Sequence, residues 1–439
     1  MINKKTALVG GGVLALAGAV MLGLVIQANS TARSEVANDD VRLSDFRSTD
    51  AALIKQGEYV MRSADCAACH TAKSGDFAGG YVIGTPFGDI QSSNITPDRD
   101  TGIGTYTERD FFNAVRQGRG RHGMLFPAMP YPDYTRMSDD DMHALWAFFS
   151  TLEPKAHKVD ELAGMNFPFN QRLLMAGWNW MFFENKVFLP DAAQSPEWNR
   201  GRYLVDGAGH CAACHSPRNI MGGPIAVNAL QGGLVGTWFA PNITNDPHLG
   251  LGDSSVEQIV DYLKTGSDGV AVASGPMAEA IENSTQHLTE ADLRAIAVYL
   301  KSLPGASPLP PPAVAATDAR MQRGGQGYEV HCSACHGTAG EGVSHMITGF
   351  AGNKAILAGN TDTLTSVVLG GARAVHTHTY VTGAGMPAFD WKLSDAEIAD
   401  ILTFMRNSWG NSAQPVTPEE VASMRKQLDL APQMRASVR

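Results

Sequence analysis

The chain has no block of basic residues of the kind that neutralises phosphates: its 439 residues carry 34 Lys and Arg against 44 Asp and Glu, a net charge of −10. Nucleic acid is therefore not an expected partner. No glycine-rich dinucleotide fingerprint is present either, and no constellation for oxidising an organic substrate stands out. Cysteine is scarce. All six cysteines fall inside three short frames, so none is left for the disulfides that an exported chain with six would ordinarily suggest. At about 100–200 residues per domain, a chain of this length is expected to hold about three domains.

At the start, Lys4 and Lys5 precede an apolar, glycine-rich run from Ala7 to Ile26, followed by the small residues Ser30, Thr31 and Ala32. This pattern predicts export, with residues 1–32 forming a signal peptide. Because the run of 20 residues is just long enough to span a bilayer, a retained membrane anchor is the alternative. In both cases the two lysines stay on the cytoplasmic side and the rest is translocated.

The frames are Cys66-Ala-Ala-Cys69-His70, Cys211-Ala-Ala-Cys214-His215 and Cys332-Ser-Ala-Cys335-His336. Two thiols one helical turn apart can add to the two vinyl groups of one porphyrin, and the adjacent histidine then supplies an iron ligand beneath the ring. The expected cofactors are three haems c. A thioredoxin-like pair would need a βαβ context and no following histidine. A zinc site would need two pairs close together, whereas these frames lie 145 and 121 residues apart.

Self-similarity extends beyond the frames. Three helix starts, Ser138-Asp-Asp-Asp141, Thr289-Glu-Ala-Asp292 and Ser394-Asp-Ala-Glu397, each place an acid three positions after a hydroxyl cap. One buried stripe follows each cap: Met142, Leu145, Trp146, Phe149; then Leu293, Ile296, Ala297, Leu300; then Ile398, Ile401, Leu402, Met405. An aromatic stands at the same place in each helix, Phe148, Tyr299 and Phe404, either near a haem or as a core residue. Upstream of the frames, Gly57-Glu-Tyr59, Gly201-Arg-Tyr203 and Gly327-Tyr328 look alike. Asn94-Ile-Thr96 and Asn242-Ile-Thr244 match the glycosylation pattern, but their common distance after the cysteines argues for a shared haem-side loop.

These repeats place domains at 45–155, 196–304 and 320–410. Residues 305–319 belong to a proline-rich linker and 411–439 to a C-terminal tail. The connector 156–195 is different: from Phe167 through Trp178 and Trp180 to Phe183 it is apolar nearly all round and too short to span a bilayer. Burial between domains and contact with a partner or membrane interface are both open for it.

A sixth iron ligand would close each haem to gases and peroxide, and methionine just before the last helix is the usual solution in small carriers. Met386, before Pro387, stands 8 residues ahead of its cap; Met129, before Pro130, stands 9 ahead; Met277, after Pro276, stands 12 ahead. A neighbouring proline fixes the loop that carries the sulfur. Met124 and Met137 fit the spacing less well, and Met142 is on the core stripe. His122, His248, His376 and His378 are the competing donors.

With Asn94-Ile-Thr-Pro-Asp, Thr101-Gly-Ile-Gly, Phe126-Pro-Ala-Met129-Pro-Tyr-Pro and Met386-Pro-Ala-Phe added to the frames, the chain resembles, from about 45 to 410, the tri-haem cytochrome c subunits of membrane-bound bacterial dehydrogenases. These serve the alcohol, aldehyde, gluconate, sorbitol and fructose dehydrogenases of acetic acid bacteria and their relatives. The resemblance implies an all-α fold of three tandem class I cytochrome c domains, each binding one covalent haem c. It implies His70, His215 and His336 with Met129, Met277 and Met386 as axial ligands. It also implies a non-catalytic electron-transfer subunit on the periplasmic side of the cytoplasmic membrane. Such a subunit takes electrons from a large catalytic subunit carrying a quinone (PQQ), flavin or molybdenum cofactor, with a small third subunit as a further candidate, and passes them to ubiquinone. The alternatives are a freely diffusing shuttle to a terminal oxidase, or a multihaem peroxidase or nitrite reductase, which would need a five-coordinate haem.

Overall fold

The computed structural model describes residues 18–20, 23, 37–305 and 309–430. The expected signal peptide or anchor, residues 1–32, lies outside the described residues apart from 18–20 and 23, as do 306–308 of the linker and 431–439 of the tail. Among the described residues no helix is long and apolar enough to cross a membrane. The chain divides into two compact bodies: Met1–Leu189 with Asp206–His210, and Pro190–Val205 with Cys211–Arg439.

Each repeat is organised by two helices that cross. In the first body these are Ala51–Ser63 and Asp139–Phe149; in the second they are Pro196–Tyr203 with Glu290–Ser302, and Ala319–His331 with Asp395–Arg406. The later helix of each pair starts where the hydroxyl predicts. Ser138, Thr289 and Ser394 accept from the backbone N–H of Asp141, Asp292 and Glu397, and Ser394 also closes the reciprocal bond with Glu397. All twelve residues of the three expected stripes are buried. At about 1.5–3 kcal/mol for each large apolar side chain fully removed from water, the stripes are a main source of cohesion.

A glycine sits at every crossing. An added Cβ would lie 1.9 Å from the carbonyl oxygen of Ala144 at Gly57, 1.9 Å from that of Ala295 at Gly201, and 2.1 Å from that of Asp400 at Gly324. The same Cβ would collide with the Cβ of Phe148, Tyr299 or Phe404. The repeated aromatic is thus part of the crossing. In the third repeat the crossing residue is Gly324, not the Gly327 that sequence similarity suggests, because the stretch from glycine to cysteine varies. It is 9 residues from Gly57, 10 from Gly201 and 8 from Gly324. The extra residue in the second repeat is taken up by a wide turn at Leu204–Ala208, where Gly207 leaves helical geometry.

Helix makes up 42% of the described residues and strand 9%, so the fold is helix-rich rather than purely helical. The strands are short hairpins: among the described residues they form one three-stranded sheet and three two-stranded ones. The three-stranded sheet binds the connector to the first body, because Gly164–Met165 pairs with Gly88–Gln91.

Further along the connector, the helix Leu174–Phe182 buries Ala176, Trp178 and Asn179 and exposes Leu174, Trp180 and Met181. Burial and exposure each hold for one face. The end of the linker is also tied down, with the Val314 N–H donating to Asn407 Oδ1 at 3.0 Å and the Ser412 hydroxyl to the Pro311 carbonyl. The tail holds a helix, Pro418–Gln427, that buries Val421 and Met424. Its Thr417-Pro-Glu-Glu420 capping box is the sequence signal that could have revealed it.

Candidate haem-binding sites

Each Cys-x-x-Cys-His frame forms one short helical turn: Cys66–His70, Ala212–His215 and Ser333–His336. A second anchor holds the turn in place. The carbonyls of His70, His215 and His336 accept from the N–H of Gly79, Gly232 and Gly342 at 2.9, 2.8 and 2.8 Å. All three glycines have positive φ, 72°, 102° and 65°, a region that side chains disfavour. These glycines escape sequence reading because they follow their histidines by 9, 17 and 6 residues.

The imidazoles are oriented alike. Nδ1 of His70 lies 2.7 Å from the Ser93 carbonyl, that of His215 2.7 Å from the Pro241 carbonyl, and that of His336 2.9 Å from the Thr348 carbonyl. A carbonyl only accepts, so each Nδ1 carries the hydrogen and each Nε2 keeps a bare lone pair. Burial holds all three imidazoles below their ordinary pKa, which favours the neutral, ligating form.

The two Asn-Ile-Thr motifs explain two of these carbonyls. Asn94 and Asn242 follow Ser93 and Pro241, and each side-chain oxygen accepts from the N–H and hydroxyl of the threonine two residues on. Asn94 also donates to the carbonyls of Lys155 and His157. Both asparagines are buried, so they are clamps on the proximal loop and not glycan acceptors. In the third repeat Asn353 does related work, donating to the carbonyl of Gly349, next to Thr348.

None of the six cysteines is bridged. Burial, reinforced by Asp65 and Cys69, pushes the Cys66 thiol up to about 12, and burial with Cys335 raises Cys332 to about 11. A thioredoxin-like pair needs a lowered thiol. Surroundings that reject a thiolate instead suit a neutral thioether.

The expected methionines lie in a loop, in the first turn of a helix and in a two-residue strand, in chain order. Met129 packs, with Cys66 and Ala67, against the first core cluster. Met277 is in the first turn of Gly275–Asn283 and packs against Ala273, Ala278, Ile281 and Val375. Met386 is in the strand Gly385–Met386, paired with Ala372–Arg373. Of the competitors, Met137 and Met142 are fully buried in the core, and His122, His376 and His378 are exposed. Met124 ends a small hairpin opposite Arg119.

The first two repeats agree in detail. Gly118 and Gly266 end their helices with left-handed φ, and their carbonyls accept from Leu125 and Ala273, seven residues on in each case. Met129 and Met277 each follow eleven residues after that glycine, whereas the position of Met124 is taken by Val272 in the second repeat.

A bare imidazole nitrogen beside an unbridged cysteine pair fits an iron porphyrin held through thioethers, and the fold that offers it belongs to the covalent-haem electron carriers. The comparisons agree: the model of the cytochrome c family matches residues 54–153, 199–304 and 321–409, and the chain belongs to that family. Membership implies covalent haem c, and the resemblance read from the motifs is borne out by the relatives. The gluconate 2-dehydrogenase cytochrome c subunit of Pantoea cypripedii is 40% identical over 407 residues, 88% of this chain and 92% of its own length. The cytochrome c subunit of alcohol dehydrogenase (quinone) from Gluconobacter oxydans is 40% identical over 83% of this chain and 80% of its own. The fructose dehydrogenase cytochrome subunit of Gluconobacter japonicus is 36% identical over 86% and 84%.

Proposed function

We propose that the chain is the electron-transfer subunit of a dehydrogenase complex, binding one haem c in each of the stretches 45–155, 196–304 and 320–410. The observation that carries this reading is the threefold Nδ1-to-carbonyl bond, which aims a neutral Nε2 from beside each cysteine pair. The axial pairs are His70 with Met129, His215 with Met277 and His336 with Met386. The shared eleven-residue spacing from Gly118 and Gly266 supports Met129 over Met124. Bound there, haem c supplies one-electron exchange at a potential that methionine raises. The protein's part is to hold each imidazole in one tautomer, shield it from water and fix the sulfur loop.

The partners are a large catalytic subunit that oxidises an alcohol, sugar or sugar acid, as the names of the relatives suggest, or an aldehyde, as the motif resemblance adds, and ubiquinone as electron acceptor. The place of action is the periplasmic side of the cytoplasmic membrane. The exposed apolar residues Phe167, Phe169, Leu173, Leu174, Trp180 and Met181 support contact with the membrane surface.

The ligand assignment is tested by the weak absorption that sulfur on ferric haem iron gives at the red edge of the oxidised spectrum. Met129→Leu, Met277→Leu and Met386→Leu each remove one of three contributions to that band. Met124→Leu leaves it intact. A band that survives in Met129→Leu and falls in Met124→Leu would overturn the assignment at the first site.

A further inference from the structure

The proximal loop of the first site is bonded to a charged pair; among the described residues no such bond is made by Pro241 or Thr348, which hold the other two imidazoles. Ser93, whose carbonyl holds His70, donates its hydroxyl to Glu161 Oε1 at 2.7 Å. The other oxygen of Glu161 is ion-paired with Arg172 Nη2. Arg172 Nη1 donates to the carbonyl of Met124 at 3.0 Å, and its guanidinium lies over the Phe126 ring. The chain of contacts thus runs from the imidazole side of the site to the loop that carries Met129.

Both charged side chains belong to the connector, and the backbone there is fixed by the Gln91 N–H donating to the Glu161 carbonyl at 3.0 Å. Side-chain exposures of 17% for Arg172 and 24% for Glu161 leave the pair largely shielded from screening by water. The Glu161 carboxylate bonds directly to the residue whose carbonyl holds His70.

We propose that Glu161 and Arg172 are positioning residues that set the redox potential of the first haem site, through Ser93 on one side and the Met124 carbonyl on the other. The inference rests on the ligand reading above. A fixed negative charge near the proximal imidazole stabilises the more positive, oxidised state of the site and lowers its potential; the guanidinium opposes this. The two side chains therefore tune in opposite directions, which a merely structural pair would not do.

The test is a spectroelectrochemical titration of the purified full chain with its haems, resolving three midpoint potentials. Glu161→Gln moves one transition to more positive potential and leaves the other two in place. Arg172→Gln moves that same transition to more negative potential. Glu161→Asp, which keeps the charge, returns it toward the parent, and Ser93→Ala, which leaves both charges in place, moves it less than either charge change. If Glu161→Gln does not take up haem, Arg172→Gln decides.

Three unmoved transitions, or Glu161→Gln and Arg172→Gln shifting the potential the same way, would overturn the inference. A parent chain with fewer than three haems would instead overturn the ligand reading on which it rests.

Discussion

A single methyl group decides whether the paired helices can meet. At Gly57, Gly201 and Gly324 the partner backbone stands where a Cβ would go, so alanine forces the helices apart or bends them. Each Gly→Ala change is expected to destabilise its repeat by about 1–3 kcal/mol, the range for overpacking, read by thermal unfolding. Gly327→Ala is the control, because an added Cβ there meets the side chain of Ile401 and no backbone. Equal losses at Gly324 and Gly327 would contradict the crossing. The three frames and the asparagine clamps were legible in the sequence because residue type and spacing recur. The glycines that anchor the histidine carbonyls were not, since loops of different length deliver them to one geometry. Glu161 and Arg172 were hidden for a related reason: they act on a site whose histidine lies 91 and 102 residues upstream of them.

Elements show the same division between what recurs and what depends on tertiary context. The capped helices starting at Ser138, Thr289 and Ser394 were readable from cap and period, whereas the connector helix was not, because an all-apolar stretch does not announce which face meets the core. In the structure Trp178 is 6% exposed and Trp180 67%, so the two tryptophans have separate roles. Trp178→Ala is expected to destabilise the fold by about 3–5 kcal/mol. Trp180→Ser with Leu173→Ser leaves the unfolding temperature in place and weakens binding to phospholipid vesicles. Undiminished sedimentation of that double variant with vesicles would remove the membrane role from this face.

The helix Ala319–His331 gives a pH prediction. Its N-cap Asp318 accepts from the backbone N–H and the guanidinium of Arg320, which pull the carboxyl from 3.8 down to about 2. A depressed carboxyl stabilises the fold above its unfolded pKa and loses that contribution as pH falls toward the folded value. Asp318→Asn keeps a capping side chain and removes the charge. The parent's advantage over Asp318→Asn in denaturant midpoint is expected to shrink as pH is lowered from 3.8 to about 2. A constant difference across that window would show that the charge plays no part.

At the scale of the whole molecule, the second and third repeats share one compact body on either side of the proline-rich linker. Several contacts join them, among them the Phe239 N–H donating to the Thr363 hydroxyl at 2.7 Å and the loop after Ala372–Arg373. The Val375 N–H donates to the Ala273 carbonyl at 3.0 Å, and Val375 packs in the cluster that includes Met277. No periodic signal marks such a contact, because it joins two irregular segments about a hundred residues apart. What makes the chain an electron carrier is nonetheless local: three cysteine pairs and three oriented imidazoles whose burial favours the neutral form. Intact-mass measurement of the exported chain tests this most directly. The expected result is the polypeptide mass plus three haems retained under denaturing conditions; a bare polypeptide, or fewer than three covalent haems, would contradict the account.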